Sequence, residues 1–563
     1  MLLFNDFAGD FFYENKWKII IYLLIILIFF PIEVVALPKI YGIMFDKIKF
    51  ATQKGDLFNN IWKNVTEMNL LGSMFILLAA WLTIILSHGA KHHMESELIP
   101  GFMGFIRRKL FGKTMNAFKE DYSDVKTGVY LSRMLELMRC AKDLFHYFIN
   151  SLFPYFMAVM FTIVFLCLNN KTIGGVLLIT FLIVLTILWY GGCHIMEKVK
   201  NRENYMNEHV NQGIQNSIDN LMNIYINNES ENEVNKNKKN ELEGERQMTD
   251  IMFWQNNVIT GCDILVLGAY GISIILIYKL LQKKQIRTTD AIVYVLVLGK
   301  FLEFSMEFIS GSIHQISFKY GIVKAAEPYL AQILNENKER VKTSGITKGN
   351  IKFKDIVFRY EKDSKEILFD GLNLEINGGE STAIMGRSGS GKTTLMKMLV
   401  GLYKPEKGKI TIDGVNINTL NLEYLRDNVN YVNQTTKLFE DSVIYNMKYG
   451  NDIKEKEIIA KLKKYQLDDV FSDLPDGVKG NAGLNGGNLS GGMQKVTILM
   501  RGLLKKGKII ILDEPLAGLD EKTINKVIRF ILQETSGKTL LVITHDKAII
   551  PHLNNVVDIN DLQ

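Results

Sequence analysis

The amino-acid sequence predicts two domains of different character, an all-α domain of six membrane-spanning helices followed by an α/β domain. Hydrophobic residue types make up 47% of the 563 residues and charged types 22%, which excludes wholesale disorder. Tyr147–Leu168 and Thr172–Cys193 each run 22 residues without a charge. After about residue 350, short β-rich runs alternate with polar helical stretches, as they do in α/β proteins.

Six stretches reach or approach the length of about 20 apolar residues that a membrane helix needs. They lie at about 17–40, 68–90, 146–168, 172–194, 256–281 and 290–316. Buried helices of a soluble core are the alternative, which six such runs within the first 320 residues disfavour. We therefore expect an integral, multi-pass membrane protein. Its transmembrane domain covers 1–335, a polar linker covers 336–350, and the second domain covers 351–563.

Charge and cysteine content argue against several other classes of protein. A net charge of +6 gives no reason to expect a nucleic-acid partner. The four cysteines lie far apart without a CxxC pair, so neither a disulfide framework nor a zinc ribbon is expected. The first 16 residues carry three acids and no arginine, which is atypical of a signal or transit peptide.

A phosphate-binding loop is predicted between a β-type run, Ser381–Met385, and a helix. Its pattern G-x-x-x-x-G-K-[ST] comprises Gly386, Arg387, Ser388, Gly389, Ser390, Gly391, Lys392, Thr393 and Thr394. The glycines let successive N–H groups point inward, and the helix start adds its positive dipole end. Lys392 is expected to reach the β- and γ-phosphates and Thr393 to hold Mg²⁺. The second domain is therefore predicted to be a P-loop nucleotide-binding domain with ATP and Mg²⁺ as its cofactors.

Two further apolar runs end in candidate catalytic residues. The run 508–512 ends in Asp513 and Glu514. Asp513 suits Mg²⁺ through water, and Glu514 suits the polarisation of a water at the γ-phosphate. His545 ends the run 540–544 and is a candidate γ-phosphate contact. Each would be an ordinary strand-end residue by itself, but the phosphate loop upstream favours catalysis.

The run Leu489-Ser490-Gly491-Gly492 precedes the acidic strand by some 20 residues and resembles the signature of the ATP-binding cassette (ABC) superfamily. Over about 350–550 the chain resembles that family in seven ordered motifs. The resemblance implies a γ-phosphate contact from Ser490, Gly491 and Gly492. It also implies that Tyr360 stacks on adenine, that Gln434 joins Mg²⁺ to the membrane part, and that Asp520 lies in the loop at the interface of two cassettes.

The membrane half resembles the exporter type of this superfamily, since six spans precede a single cassette. Thr127–Arg133 looks like part of the first inner loop, and a coupling helix is expected near 118–124. Three departures stand out: Met493 replaces the usual Gln, Leu484 replaces a glutamate, and the interface loop begins Ala-Gly. None of them removes a catalytic group.

The exporter resemblance implies a half-transporter, because one cassette covers the ATP of another. A homodimer is the simplest assembly, and a heterodimer is the alternative. ATP hydrolysis would drive export of a solute by alternating access. The rival functions are a membrane-anchored regulator of a channel or partner without its own cargo, and an ABC importer. The nucleotide domain would face the cytosol, or the matrix in an organelle inner membrane.

The candidate cargo residues are Lys300, Glu303 and Glu307, which fall on one face of the sixth span. Charges inside a membrane usually face a cavity or each other. A Lys300–Glu303 pair that neutralises itself is the alternative. Glu307 is then left over, together with Glu33 and Asp263 elsewhere in the spans. This balance favours a cationic or zwitterionic cargo, but the sequence names neither the cargo (small molecule, lipid or peptide) nor the membrane, and it does not indicate the subfamily.

Overall fold

The computed structural model describes residues 2–53, 70–119, 127–334, 342–360, 366–434 and 436–562. The chain divides into two compact units. The first comprises Met1–Thr114 with Lys126–Leu334, and the second comprises Met115–Val125 with Asn335–Gln563.

The described residues of the first unit are helical apart from short turns, such as 227–229 and 283–287. Its α-helices are Leu2–Glu14 (α1), Lys16–Pro31 (α2), Leu37–Gln53 (α3), Leu70–Ala117 (α4), Thr127–Tyr147 (α5), Phe153–Asn169 (α6), Lys171–Tyr205 (α7), Gln212–Asp219 (α8), Leu221–Ile226 (α9), Ser230–Gln282 (α10), Thr288–Gly311 (α11) and Phe318–Leu334 (α12). Four π-helical turns join some of them without a break, at Ile32–Ala36, Phe148–Leu152, Met206–Asn211 and Ser312–Ser317.

Five helical stretches in the described residues are long and apolar enough to cross a membrane. They are Lys16–Asp46, Gly72–Ala117, Ser132–Asn169, Lys171–Asp219 and Ser230–Gln282. Helix α11 occupies the position of the sixth predicted span, and four charged side chains, Asp290, Lys300, Glu303 and Glu307, make it less apolar. The predicted fold class, a helical membrane domain followed by an α/β domain, is confirmed.

A buried polar network lies among the membrane helices where Lys91 and Glu95 are 8% and 6% exposed. The Tyr22 hydroxyl lies 2.8 Å from Oε1 of Glu95 and 2.6 Å from the carbonyl oxygen of Ile149. Lys91 Nζ donates to the carbonyl of Asn150 over 3.1 Å. Both carbonyls belong to the second π-helical turn, a local widening that often marks functional positions. These bonds offset the cost of burying two charges.

The second unit contains two sheets. Its strands are Ile351–Phe358 (β1), Phe369–Ile376 (β2), Ser381–Met385 (β3), Lys407–Ile412 (β4), Val415–Asn416 (β5), Val429–Val432 (β6), Ile509–Asp513 (β7), Thr539–Ile543 (β8) and Asn555–Asp558 (β9). An antiparallel sheet has the order β2-β1-β4-β5, and a parallel sheet has the order β6-β7-β8-β3-β9. The α-helices are Lys392–Leu399 (α13), Leu422–Asn428 (α14), Val443–Lys448 (α15), Glu455–Lys464 (α16), Gly491–Leu503 (α17) and Glu521–Glu534 (α18).

The parallel sheet positions the candidate site. Every residue of β7 and β8 is buried, as expected for a parallel sheet that is covered on both faces. Strands β3 and β7 both flank β8, so their carboxyl ends lie at the same edge. In open parallel sheets that edge is where ligands bind.

Candidate nucleotide site

The predicted phosphate loop connects β3 to α13. Gly386, Gly389 and Gly391 have φ angles of +144°, +81° and +86°, a region that favours glycine. A Cβ on Gly391 would lie 2.4 Å from the ring of Phe369. The loop therefore needs its glycines for conformation and, at Gly391, for space. Helix α13 begins directly after the loop, so its N-terminal amides and dipole can serve an anion there.

Lys392, the first residue of α13, is held at the loop. Its Nζ donates to the carbonyl oxygens of Gly386 and Arg387 over 2.7 and 2.8 Å, and the residue is only 8% exposed. The ammonium group is thus held in one position beside the phosphate-loop backbone and does not move freely in solvent. A phosphate entering the loop would meet both the amides and this charge.

A cluster of oxygen atoms lies between the phosphate loop and the acidic strand. The Thr393 hydroxyl donates to Oδ2 of Asp513 over 2.9 Å, and the Tyr431 hydroxyl lies 3.2 Å from the same oxygen. Asp513 is 2% exposed. Burial first, and then the charge of Asp513, raises the pKa of Tyr431, so the phenol stays protonated and donates. A hydroxyl and a carboxylate are ligands that Mg²⁺ prefers, so these residues fit that ion.

Glu514 follows Asp513 in a left-handed backbone conformation with φ of +49°. Its N–H donates to the carbonyl of Ile543 over 2.9 Å, and its own carbonyl accepts from Lys495 Nζ over 2.9 Å. Non-glycine residues in this conformation are uncommon and are often found at functional sites. Nε2 of His545 lies 4.0 Å from Oε1 of Glu514. A water between this pair and a phosphate could lose a proton to the glutamate.

The signature residues begin a different helix. The Ser490 hydroxyl accepts from the N–H of Met493 over 3.3 Å and so caps α17. Ser490 and Gly491 are exposed, whereas Met493 is 8% exposed and packs in the domain core. The side chain of the fifth signature residue therefore contributes to packing, and the first residues present polar groups at a helix start.

Two other predicted site residues lie at the ends of secondary-structure elements. Asp520 caps α18 by accepting from the N–H of Thr523 over 3.0 Å, and hydrogen bonds from Thr523 lower its pKa. Gln434 is exposed just beyond the end of β6.

Tyr360, the predicted adenine-stacking residue, is 64% exposed. Its hydroxyl hydrogen-bonds to Oγ1 of Thr394 in the phosphate-loop helix. Its ring stands edge-on to Phe358 and Tyr403, with centroids 5.4 and 6.0 Å away. An exposed ring fixed beside the phosphate loop is suited to stacking on a flat base.

The structure thus brings Thr393, Asp513, Glu514 and His545 to one edge of the sheet. Sequence reasoning missed two residues that hold the acidic pair in place. Tyr431 donates to the carboxylate of Asp513, and Lys495 donates to the backbone carbonyl of Glu514. Tyr431 is the third residue of the short strand β6 and lies three residues before Gln434. The position of its strand beside β7, which the sequence does not reveal, is what carries its hydroxyl to Asp513.

In the membrane unit, Lys300 bridges two acids. Its Nζ lies 3.0 Å from Oε2 of Glu303 and 3.7 Å from Oε1 of Glu33, and 5.2 Å from the centre of the Phe304 ring. The alternative of a Lys300–Glu303 pair is therefore realised, with Glu33 added. Within the described residues Glu307 makes no ion pair, and it is exposed in the single chain.

Comparisons with known proteins agree on one family. Residues 369–517 match the model of the ABC transporter family. The chain is 34% identical over 258 residues to "ABC transporter B family member 29, chloroplastic" of Arabidopsis thaliana, covering 43% of this chain and 40% of that protein. It is 36% identical over 211 residues to "ATP-dependent lipid A-core flippase" of Legionella pneumophila (strain Paris), covering 37% of this chain and 36% of that protein. Both alignments therefore span well under half of the length of each relative.

The fold is similar to that of a solved exporter over nearly the whole chain. The structure of a bacterial Atm1-family ABC exporter with ATP bound superposes with a TM-score of 0.81 at 19% sequence identity. The likeness covers 97% of this chain and 93% of that one. At this level of identity the likeness concerns the fold alone.

Proposed function

Because the chain belongs to the ABC transporters and has the exporter fold, we propose that it is one half of a dimeric, ATP-driven exporter. The observation that carries the proposal is the edge of the parallel sheet where Thr393, Asp513, Glu514 and His545 meet. A water-polarising carboxylate stands there beside a lysine-bearing phosphate loop. An ATPase needs these groups together.

Dimerisation follows from the single set of motifs in the chain. It has one phosphate loop and one signature, and in the superfamily the signature of one cassette covers the ATP of the other. Ser490 and Gly491 begin a helix with exposed polar groups, which suits an approach by a second cassette. The chain carries every catalytic group, so a two-fold homodimer with two working sites is the simplest assembly.

Transport would be driven by a difference in ATP affinity between two states. If ATP binds closed cassettes more tightly than separated ones, it shifts the dimer to the closed state. The transport cavity between the membrane domains then opens to the outward side. A shift from 1:99 to 99:1 needs about 5.5 kcal/mol of differential affinity. Hydrolysis assisted by Glu514 removes that difference and returns the cavity to the inward side.

The charges of α11 support a cationic or zwitterionic cargo. Lys300 is shared between Glu303 and Glu33, so its positive charge is offset within the protein. Glu307 has no ion pair among the described residues and is exposed. Since unpaired charges in a span usually face a water-filled cavity, Glu307 is the carboxylate that we propose contacts cargo.

The test uses full-length protein in lipid discs, with and without a panel of cationic, zwitterionic and anionic solutes. We expect Mg²⁺-dependent ATPase activity that at least one cationic or zwitterionic solute stimulates. Lys392→Ala is the control, because it removes the charge at the phosphate loop and should abolish turnover. Full activity in that variant would refute the nucleotide site. ATPase activity that responds only to a partner protein would refute the exporter.

A further inference from the structure

We propose that a cavity between α1 and the C-terminal part of α4 binds the headgroup of a zwitterionic phospholipid that carries a primary amine. The cavity has a volume of about 500 Å³ and lies apart from the candidate cargo residues. Its lining residues are Asp10, Tyr13, Glu14, Phe105, Arg108 and Lys109. The proposal does not depend on transport activity.

The cavity is a built feature because α1 is anchored to α4. Phe11 is 3% exposed, and its ring meets those of Phe102 and Phe105 edge-on, with centroids 5.1 and 5.6 Å away. Aromatic pairs of this geometry stabilise beyond their buried area. The wall that α1 contributes is therefore fixed relative to the wall from α4.

Two of the four charged residues that line the cavity neutralise each other, and the other two are available for a ligand. Lys109 forms an ion pair with Asp10, and its Nζ lies 5.4 Å from the centre of the Phe105 ring. Arg108 and Glu14 are exposed, and neither makes an ion pair in the part of the chain that the structure describes. The four formal charges cancel, so the cavity complements a ligand with one positive and one negative group.

The unpaired groups specify the chemistry of that ligand. The Arg108 guanidinium offers parallel donors that match a phosphate, and the Glu14 carboxylate accepts hydrogen bonds but cannot donate them. A primary ammonium donates to such a carboxylate, whereas a trimethylammonium has no N–H to give. A purely anionic headgroup would satisfy Arg108 but would leave the Glu14 carboxylate without a positive partner.

The position of the cavity favours a lipid over a soluble phosphoamine. Tyr13 and Trp17 next to it are 75% and 69% exposed, and such aromatic residues are enriched at membrane interfaces. Lys18 pairs with Glu97 over 2.5 Å, and the apolar run 19–30 begins at the following residue. The cavity is thus next to the polar end of a predicted span, at the level of lipid headgroups.

The first experiment needs no variant. Full-length protein in neutral detergent would receive phosphatidylethanolamine, its N-methyl and N,N-dimethyl forms, phosphatidylcholine or phosphatidylglycerol, all with the same acyl chains. Native mass spectrometry would count bound lipid. We expect binding to weaken with each methyl group, to about tenfold weaker for phosphatidylcholine, as for the loss of a charge-assisted hydrogen bond. Equal binding of the ethanolamine and choline lipids, or tightest binding of phosphatidylglycerol, would overturn the proposal.

Variants then locate the site. Glu14→Gln should remove the preference for the ethanolamine over the choline lipid. Arg108→Gln should weaken binding of both about tenfold. Arg107→Gln is the matched control, since this neighbouring exposed arginine does not line the cavity. An equal effect of Arg107→Gln would show a diffuse basic surface and refute the site. Binding of O-phosphoethanolamine without binding of the lipid would refute the lipid assignment.

Discussion

The hydroxyl of Thr393 donates to Oδ2 of Asp513 over 2.9 Å, although the two residues are 120 positions apart in the chain. The bond joins the first turn of the phosphate-loop helix to the end of strand β7. It places two oxygen ligands of the kind that Mg²⁺ prefers at the mouth of the phosphate loop. Nucleotide and metal would thus meet beside Glu514, the residue that we propose to be catalytic.

Glu514→Gln should leave ATP binding intact and slow hydrolysis by about a hundredfold or more. The amide keeps the shape of the side chain but cannot take a proton from water, and positioned bases contribute 10²–10⁴-fold. The measurement is ATPase turnover together with the separation of the two cassettes after addition of ATP, by spin labels or by microscopy. ATP should hold the variant in the closed dimer.

The matched control is Glu521→Gln, an exposed glutamate in the first turn of the next helix. Its turnover should stay within twofold of the parent protein. If ATP leaves the cassettes of the Glu514→Gln variant apart, the closed-dimer mechanism does not hold for this chain.

Much of the fold could be predicted because its signals are local. The charge-free runs indicate membrane helices, and the phosphate loop is contiguous. Tyr431 and Lys495 could not be found this way, because their roles depend on which strands are neighbours. Of the two acids that pair with Lys300, only Glu303 could be predicted, because it is one helical turn away. Glu33 lies 267 positions earlier in the chain.

Tyr431→Phe should raise the Mg²⁺ concentration needed for half-maximal ATPase activity by about tenfold. The change removes the hydroxyl that lies 3.2 Å from Asp513, and the loss of outer-shell partners of metal ligands typically costs 10–100-fold. Because the pKa of Tyr431 is raised, the effect should not vary between pH 6 and 9. Tyr424→Phe, which loses a hydroxyl elsewhere in the domain, is the control. An unchanged Mg²⁺ requirement would make Tyr431 a packing residue only.

Met493→Gln should change turnover less than tenfold but lower thermal stability. The side chain is 8% exposed and packs in the core. An amide there would lose its hydration without gaining a partner, which lowers the free energy of unfolding by about 1–3 kcal/mol. Ser490→Ala is the contrasting variant, because it removes a polar group at the helix start and should lower turnover more. A hundredfold loss of turnover in Met493→Gln would assign Met493 a role in the reaction.

Glu307→Gln should alter cargo-stimulated ATPase activity and leave the basal rate nearly unchanged. The carboxylate is exposed and has no ion pair among the described residues, so its loss should not disturb packing. Glu245→Gln, an exposed glutamate on α10, is the control. If stimulated and basal rates both stay unchanged, or both fall together with the amount of folded protein, Glu307 does not contact cargo.

Asp413→Asn should destabilise the nucleotide domain by about 1–2 kcal/mol at neutral pH. Burial alone would raise the pKa of Asp413, but the backbone amides of Gly349, Thr347 and Asn350 donate to the carboxylate and lower it from 3.8 to about 2. A lowered carboxyl pKa adds stability that is fully present well above pH 3.8 and is lost as the pH falls towards 2. The magnitude follows from about 1.4 kcal/mol for each unit of pKa difference, reduced because solvent screens this partly exposed carboxylate.

Asn suits this position because Asp413 has a φ of +49°, and asparagine adopts that conformation readily. The substitution removes the charge and one of the two acceptor oxygens, because the amide nitrogen can only donate. Asp355→Asn is the matched control, since that aspartate also has positive φ, +52°. Among the described residues its carboxylate accepts from a single side-chain amide, that of Asn373, and from no backbone amide. In chemical denaturation of the full chain at pH 7, the free energy of unfolding should be clearly lower for Asp413→Asn than for Asp355→Asn. This difference in unfolding free energy should be smaller at pH 3.5. There Asp413 is partly protonated in the unfolded parent protein, so its carboxylate stabilises the folded state less. A gap that is equal at both pH values would mean that the carboxylate charge contributes nothing to stability.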